Sequence, residues 1–266
     1  MENRIDLHVD GGVAHVRLVR ADKMNALDGD MFDAIIEVGN RLRADKSVRA
    51  VVLSAQGKAF CAGLDMANFA DMADGSTGEV ARNALEVRTQ GVSNTPQHAA
   101  WMWRELPVPV IAAVHGVAFG GGFQVALGAD MRYAAPGTRF SVMEIKWGLV
   151  PDMAGTQLMR NLVRDDVARE LTYTGRIFEA EEALRLGLVT RVCEDALALA
   201  LETAQQIAAR NPDAIRAAKR LWNNAPYISA EQGLLEESRE QDRIIGRPNQ
   251  VEAVMAELEG RPAKFG

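Results

Sequence analysis

Short apolar-rich runs at Ile5–Val9 and Val13–Leu18 predict two strands, and Asp10-Gly11-Gly12 between them is a strong hairpin signal. Asp28 is placed to cap a helix whose Phe32, Ile35, Ile36 and Leu42 recur on one face. Ala50–Ser54 has the continuous apolar character of a buried strand, and Gly57–Met66 follows as a loop leading into a helix. Residues 67–100 are polar and weakly periodic, which predicts mobile helices or a lid, and residues 67–105 are expected to shape a pocket. Val110–Val114 is a further strand. Three consecutive glycines, Gly120, Gly121 and Gly122, then open a helix-like pattern, and Met131–Ala134 reads as another strand.

The repeated order of strand, loop and helix predicts α/β layers. From Ala196 the character changes. Ala196–Arg210, Pro212–Asn223, Ser229–Ile245 and Pro248–Glu259 are helix-like with few strand signals. The expected organisation is an α/β core over residues 1–195 and a C-terminal helical subdomain over 196–266.

Charge narrows the classes. With 30 basic and 36 acidic residues the net charge is −6, which gives no electrostatic case for nucleic acid or an anionic membrane. No apolar run approaches the ~18–20 residues that span a bilayer. The first residues lack the basic start and apolar core of a signal peptide. Two distant cysteines, Cys61 and Cys193, suit a reducing compartment. A cytoplasmic enzyme or binding protein is expected.

Two glycine-bearing loops follow strands: Cys61-Ala62-Gly63-Leu64 and Gly120-Gly121-Gly122. Each can aim a backbone N–H at one point, and a pair of such donors makes an oxyanion hole. The competing reading is that these glycines only let helix pack closely on strand. Val125 stands where the third glycine of a dinucleotide fingerprint belongs. The chain contains neither the G-K-[ST] end of a phosphate loop nor a G-x-S-x-G elbow.

The stretch Lys58–Met66 paired with His115–Gly122 resembles the crotonase (enoyl-CoA hydratase/isomerase) superfamily. Asp22–Leu27, Gly148–Gln157 and Glu179–Val189 resemble further motifs of that family in the same order, so the resemblance covers essentially the whole chain. It implies a crotonase-like α/β spiral of β–α units with C-terminal helices, assembled as a homotrimer or dimer of trimers. It implies an acyl-CoA thioester as substrate, with coenzyme A part of that substrate and no separate cofactor or metal. The thioester oxygen would sit between the backbone N–H groups of Leu64 and Gly121. Lys23, Met24, Ala26, Ala62, Asp65, Met66, Gly120, Trp147, Lys264 and Phe265 fall where the family contacts substrate or CoA. His98, Trp101 and Trp103 fall at the acyl pocket or its cover.

The resemblance also raises a departure. The two glutamates of the family's hydratases fall on Gln124 and Glu144, and a neutral amide is no base near neutral pH. Asp152 matches an acid of the family's double-bond isomerases, which works with the acid matching Glu144. The dienoyl-CoA isomerases usually carry a further acid where Gln124 stands. The expected activity is therefore double-bond isomerisation of an enoyl- or dienoyl-CoA by a Glu144/Asp152 proton shuttle. The alternatives are hydration using Glu144, or a catalytically weak acyl-CoA binding protein. Each of the three residues also has a plain reading: Asp152 as a cap for the segment from Ala154, Glu144 as partner of Arg139 or Lys146, and Gln124, which could otherwise orient a water but not act as a base, as an ordinary helix residue. Cys61 and His115 read as structural.

Overall fold

The computed structural model describes residues 4–68 and 85–266. Residues 69–84, within the stretch read as a lid, and the first three residues lie outside the described residues. The strands are β1 (Ile5–Asp10), β2 (Val13–Leu18), β3 (Ala50–Ala55), β4 (Val110–Val114), β5 (Val117–Phe119), β6 (Met131–Ala134), β7 (Arg139–Ser141), β8 (Phe178–Glu179) and β9 (Arg191–Val192). Among the described residues they form a six-stranded sheet, ordered β1-β2-β3-β4-β6-β9, and a three-stranded sheet, β5-β7-β8. The β1–β2 hairpin is antiparallel, with Ile5 opposite Leu18, and every other pair of the large sheet is parallel.

Parallel strands buried on both faces need apolar residues at successive positions. β3 and β4 supply them, and strand alternation sorts the residues between two cores. Val51, Leu53, Val110, Ala112 and Val114 face the larger core with helix α1 (Gly29–Ala44) and helix α2 (Thr95–Glu105). Ala50, Val52, Ile111 and Ala113 face the opposite side of the sheet, where the alanine-rich helix that begins at Ala196 packs. Asp28 caps α1 as expected, its side chain accepting from Met31 N at 2.8 Å.

The remaining helices are α3 (Gly121–Leu127), α4 (Gly155–Met159), α5 (Asp165–Thr174), α6 (Ala180–Leu186), α7 (Ala196–Ala208), α8 (Pro212–Asn224), α9 (Ala230–Ile244) and α10 (Pro248–Glu259). The expected boundary at residue 195 groups α7 with the tail. Instead, Ala196, Ala200, Ala204 and Ala208 line one stripe of α7 and pack on the sheet, where small side chains allow close approach. α7 is thus part of the sheet's cover. No helix among the described residues is long and apolar enough to cross a membrane.

Two features hold the site's framework. Phe123, Phe140 and Phe178 pack with centroids 5.5–5.8 Å apart, joining α3 to the small sheet. The buried Lys219 ammonium of α8 donates to Trp103 O at 3.0 Å, Val108 O at 2.8 Å and Asp130 Oδ2 at 2.8 Å. All three of its protons are used, and they tie the tail to α2 and to the start of β4. Lys219→Ala leaves the partly exposed Asp130 carboxylate and two backbone carbonyls without this partner. We expect it to lower stability by about 1–3 kcal/mol in urea unfolding, whereas an exposed change such as Glu231→Ala moves stability by less than about 0.5 kcal/mol.

Candidate functional site

The early motif Asp22–Leu27 forms a tight turn that joins the loop after β3. Met24 and Asn25 both adopt left-handed backbone, with φ of 49° and 54°. Asn tolerates that region better than most residues. Its buried side chain donates to Gln56 O at 2.9 Å and Ala59 O at 2.8 Å. Ala62 N donates to Met24 O, and Leu27 N donates to Gly63 O. Arg20 completes the clamp, reaching Ala26 O at 3.0 Å and Asp65 Oδ2 at 2.5 Å. Asp65 is therefore engaged in holding the loop. The Ala67 N–H and the Arg20 guanidinium keep its pKa below the usual carboxylate value. Lys23, Met24 and Met66 remain exposed on the rim of this turn, while Ala26 is buried beneath it.

The two glycine loops meet. Cys61 and Ala118 form a parallel bridge, as do Leu27 and Leu64. A methyl group at Gly63 would lie 3.8 Å from Gly121 N, which measures how closely the loops approach. Gly120 has φ 49° and ψ −122°, a conformation that L side chains rarely adopt, and its N–H donates to Ser141 O at 3.0 Å. Among the described residues, the Leu64 and Gly121 N–H groups donate no backbone hydrogen bond. Two uncommitted donors thus stand on adjoining loops.

The acidic wall lies beside them. Glu144 sits on the 3₁₀ turn Met143–Trp147 and is 8% exposed; Gln124 on α3 is 2% exposed. The Gln124 carboxamide oxygen accepts from Met153 N at 2.9 Å and Gly155 N at 2.8 Å. Two N–H donors require the oxygen on that side, so the amide nitrogen faces Glu144 and donates to Oε1 at 2.5 Å. Glu144 Oε2 is buried with no hydrogen-bond partner among the described residues. Burial is the main cause that pushes the Glu144 pKa up to about 7, with the Asp152 charge adding to it. Asp152 keeps much of its surface in water, yet the protein around its other sides raises its pKa by desolvation.

Several plain readings are overturned here. Glu144 pairs with Gln124, not with Arg139 or Lys146. Asp152 is not the cap of α4; the cap position is Ala154, in left-handed backbone with no side-chain cap. Gln124 is neither a bland helix residue nor a water-orienting acceptor, because its oxygen is taken by the loop carrying Asp152. Sequence reasoning missed that clamp and the residues that permit it. A Cβ on Gly155 would lie 2.6 Å from Gln124 Oε1, and one on Gly121 would lie 2.7 Å from Met153 Sδ. The small pair Ala154-Gly155 was the available signal.

Other candidates lie apart or serve packing. Trp147 is partly exposed, with Lys146 Nζ 5.4 Å from its ring centroid. Lys264 and Phe265 are not brought to the acidic wall in this chain. Phe265 O accepts from Arg49 Nη2 at 2.9 Å, at the start of β3, whereas the glycine loop leaves from its other end. Cys61 is buried, which raises its thiol to about 12 and removes it as a nucleophile. His115 contacts Gly57 O, and burial holds His98 below its ordinary pKa beside Ser93. Trp103 is fully buried in the core, and Trp101 donates to Glu105.

Comparison with known proteins identifies the family. Residues 8–266 match the sequence model described as enoyl-CoA hydratase/isomerase. A short-chain-enoyl-CoA hydratase of Clostridium acetobutylicum is 32% identical over 265 residues, 97% of this chain and 96% of the relative. The mitochondrial Delta(3,5)-Delta(2,4)-dienoyl-CoA isomerase of Homo sapiens is 35% identical over 212 residues, 78% of this chain and 64% of that protein. The crystal structure of an enoyl-CoA hydratase from Bacillus anthracis superposes with a TM-score of 0.89 at 29% identity, covering 98% of each chain. With meeting glycine loops, a buried glutamate beside them and a family match across nearly its whole length, this chain belongs to the enoyl-CoA hydratase/isomerase family.

Proposed function

We propose that the chain isomerises a carbon–carbon double bond of an enoyl- or dienoyl-CoA thioester. The observation that carries this reading is the coupled pair of carboxyl groups, Glu144 and Asp152, beside a Gln124 whose oxygen is already bound to backbone. Burial holds the Glu144 proton up to about pH 7, which assigns it as the acid, and Asp152, on an exposed residue, is assigned as the base. Asp152 takes a proton from one carbon of the acyl chain. The C–H electron pair moves through the conjugated system onto the thioester oxygen. Glu144 delivers its proton to another carbon, and the electrons return as a double bond in a new position. Exchange with solvent then resets the two carboxyls.

The Leu64 and Gly121 N–H groups are assigned to the thioester oxygen. One such donor is worth roughly 10²–10³ in rate. Lys23, Met24 and Met66 on the exposed rim, with Ala62 and Gly120 in the adjoining loops and the partly exposed Trp147, are assigned to contacts along the substrate. Asp65 and Ala26 support that rim. Lys264 and Phe265 reach a substrate only if it belongs to another copy of the chain. The reaction moves protons and electron pairs within the substrate, so no cofactor is assigned apart from the coenzyme A that the thioester carries.

Hydration is the second reading, favoured by the relative named short-chain-enoyl-CoA hydratase. It would use Glu144 alone as acid and base. Assembly is proposed through the C-terminal helices as a homotrimer or dimer of trimers. Trp222 and Leu258 are each 78% exposed, and Leu234 and Ile245 are exposed near them in sequence.

A panel of enoyl- and dienoyl-CoA esters, with product double-bond position read by mass spectrometry and NMR, tests the reaction. Glu144→Gln and Asp152→Asn should each cut isomerase turnover by at least about 10². Intact turnover in Asp152→Asn would sink the relay, rapid hydration of crotonyl-CoA would favour the second reading, and CoA-ester binding without turnover would indicate a binding protein. The pH profile of kcat/KM should be a bell. It rises as Asp152 ionises, above the usual carboxylate range, and falls as Glu144 loses its proton near pH 7. Light scattering on the purified chain should give three or six times the chain mass; a monomer would refute the assembly.

A further inference from the structure

We propose that Gln124 is a positioning residue that assigns separate duties to the two oxygens of Glu144: Oε1 is held by the carboxamide, and Oε2 alone carries and transfers the proton. The inference deepens the relay reading and rests on it for its kinetic consequence only.

The argument starts from what a carboxamide can do. It has one acceptor end and one donor end. Met153 N and Gly155 N occupy the acceptor, which fixes the carboxamide against rotation. The nitrogen then presents only hydrogens to Oε1. A proton on Oε1 would point at another donor, so protonation belongs on Oε2. That atom is buried and has no partner among the described residues. Gly120 closes the other side, since even a methyl there would lie 3.3 Å from Oε1. The glutamate therefore has one unpartnered oxygen and one immobilised oxygen.

The same clamp links the two acids. Gln124 joins Glu144 to Met153 and Gly155, which flank the exit from Asp152. Its donated hydrogen bond favours the ionised form of Glu144 and opposes the effect of burial. Other charges do not compete for that role among the described residues. Asp152 is the charged group that acts on Glu144. Lys146, on the same turn, lies over Trp147. On α5, which packs on the turn, Asp165 pairs with Arg169, Asp166 with Arg164 and Glu170 with Arg176.

Two variants separate positioning from simple support of the fold. Gln124→Met keeps the length and removes both polar ends. Gln124→Glu keeps the acceptor for the two loop amides and replaces the donor with a second carboxyl group. The readouts are the titration of the Glu144 carboxyl carbon by 13C NMR, assigned with Glu144→Gln, the thermal midpoint, and kcat and KM across pH. In Gln124→Met the Glu144 midpoint should rise by about one pH unit as a charge-stabilising hydrogen bond is lost. The falling limb of the rate profile should move up with it. At neutral pH kcat should fall by roughly tenfold with KM changed less than about threefold. In Gln124→Glu the thermal midpoint should stay near that of the native chain, while two adjacent carboxyls share a proton and the midpoint rises by about two units. A Glu144 midpoint unmoved in Gln124→Met, with a lowered thermal midpoint, overturns the proposal and leaves Gln124 a structural cap. An unmoved midpoint in Gln124→Glu also overturns it, because the two side chains would then not be in contact. Native protein that turns over no enoyl ester, yet shows both titration shifts, keeps the positioning role and rejects the relay.

Discussion

The site depends on the orientation of one carboxamide. Gln124 is the only way in which α3, the 3₁₀ turn of Glu144 and the loop of Asp152 are joined through a single side chain among the described hydrogen bonds. An amide with an acceptor at one end and a donor at the other cannot be reversed here without opposing donors at the loop and acceptors at Glu144. Its direction is therefore dictated by backbone geometry. A glutamate in its place would keep the loop but lose the donor, and the wall would then hold carboxyl against carboxyl. Gln124 thus alters both the charge and the direction of the adjacent acid.

Close packing makes that orientation durable. The three phenylalanines fix α3 against β7 and β8, so Gln124 and Glu144 start from elements with a shared core. Met153 reaches Gly121, and Gly155 leaves room for the carboxamide. Burial then acts on the chemistry. A carboxylate that keeps one hydrogen bond in an apolar wall holds its proton to higher pH than one in water. The loops of Leu64 and Gly121 lie alongside, pinned by the Asn25 turn and the Arg20 clamp. Several motifs that look separate along the chain are thus parts of one rigid rim.

The parts legible in the sequence are those governed by local or periodic rules. The hairpin, the Asp28 cap, the apolar strands β3 and β4 and the four C-terminal helices follow from such rules, and all stand near their expected limits. β5, β7 and β8 are two or three residues long, too short for alternation to register. α2 starts at an Asn94–Gln97 capping box inside a stretch whose polarity hid it. At the site, the motifs led to Glu144, Gln124 and the glycine loops. Their partners did not show, because Gln124 meets residues 20 to 31 positions away. Asp65 illustrates the same limit. An acid in a substrate-proximal motif reads as a ligand contact until Arg20 is seen to occupy it. Phe265 is the converse: a motif at the chain's end whose partner in this fold is Arg49, far along the sheet from the acids.

Charge counting links these features to the proposed chemistry. Before the relay, the negative charge is on Asp152 and Glu144 holds its proton. After proton abstraction both acids are neutral and the charge lies on the thioester oxygen, opposite the Leu64 and Gly121 amides. After delivery the charge is on Glu144 Oε1 and Oε2, next to the Gln124 donor. The site carries one negative charge at every stage, and a hydrogen-bond donor stands at each of the two buried places where it rests. The third, Asp152, lies on an exposed residue, although the protein around its carboxyl raises its pKa by desolvation. A second ionisable acid at position 124 would break that count, since a low-dielectric wall would have to hold two charges or trap an extra proton. A neutral residue with a donor end keeps that count at one, and glutamine also has the length to reach the loop amides.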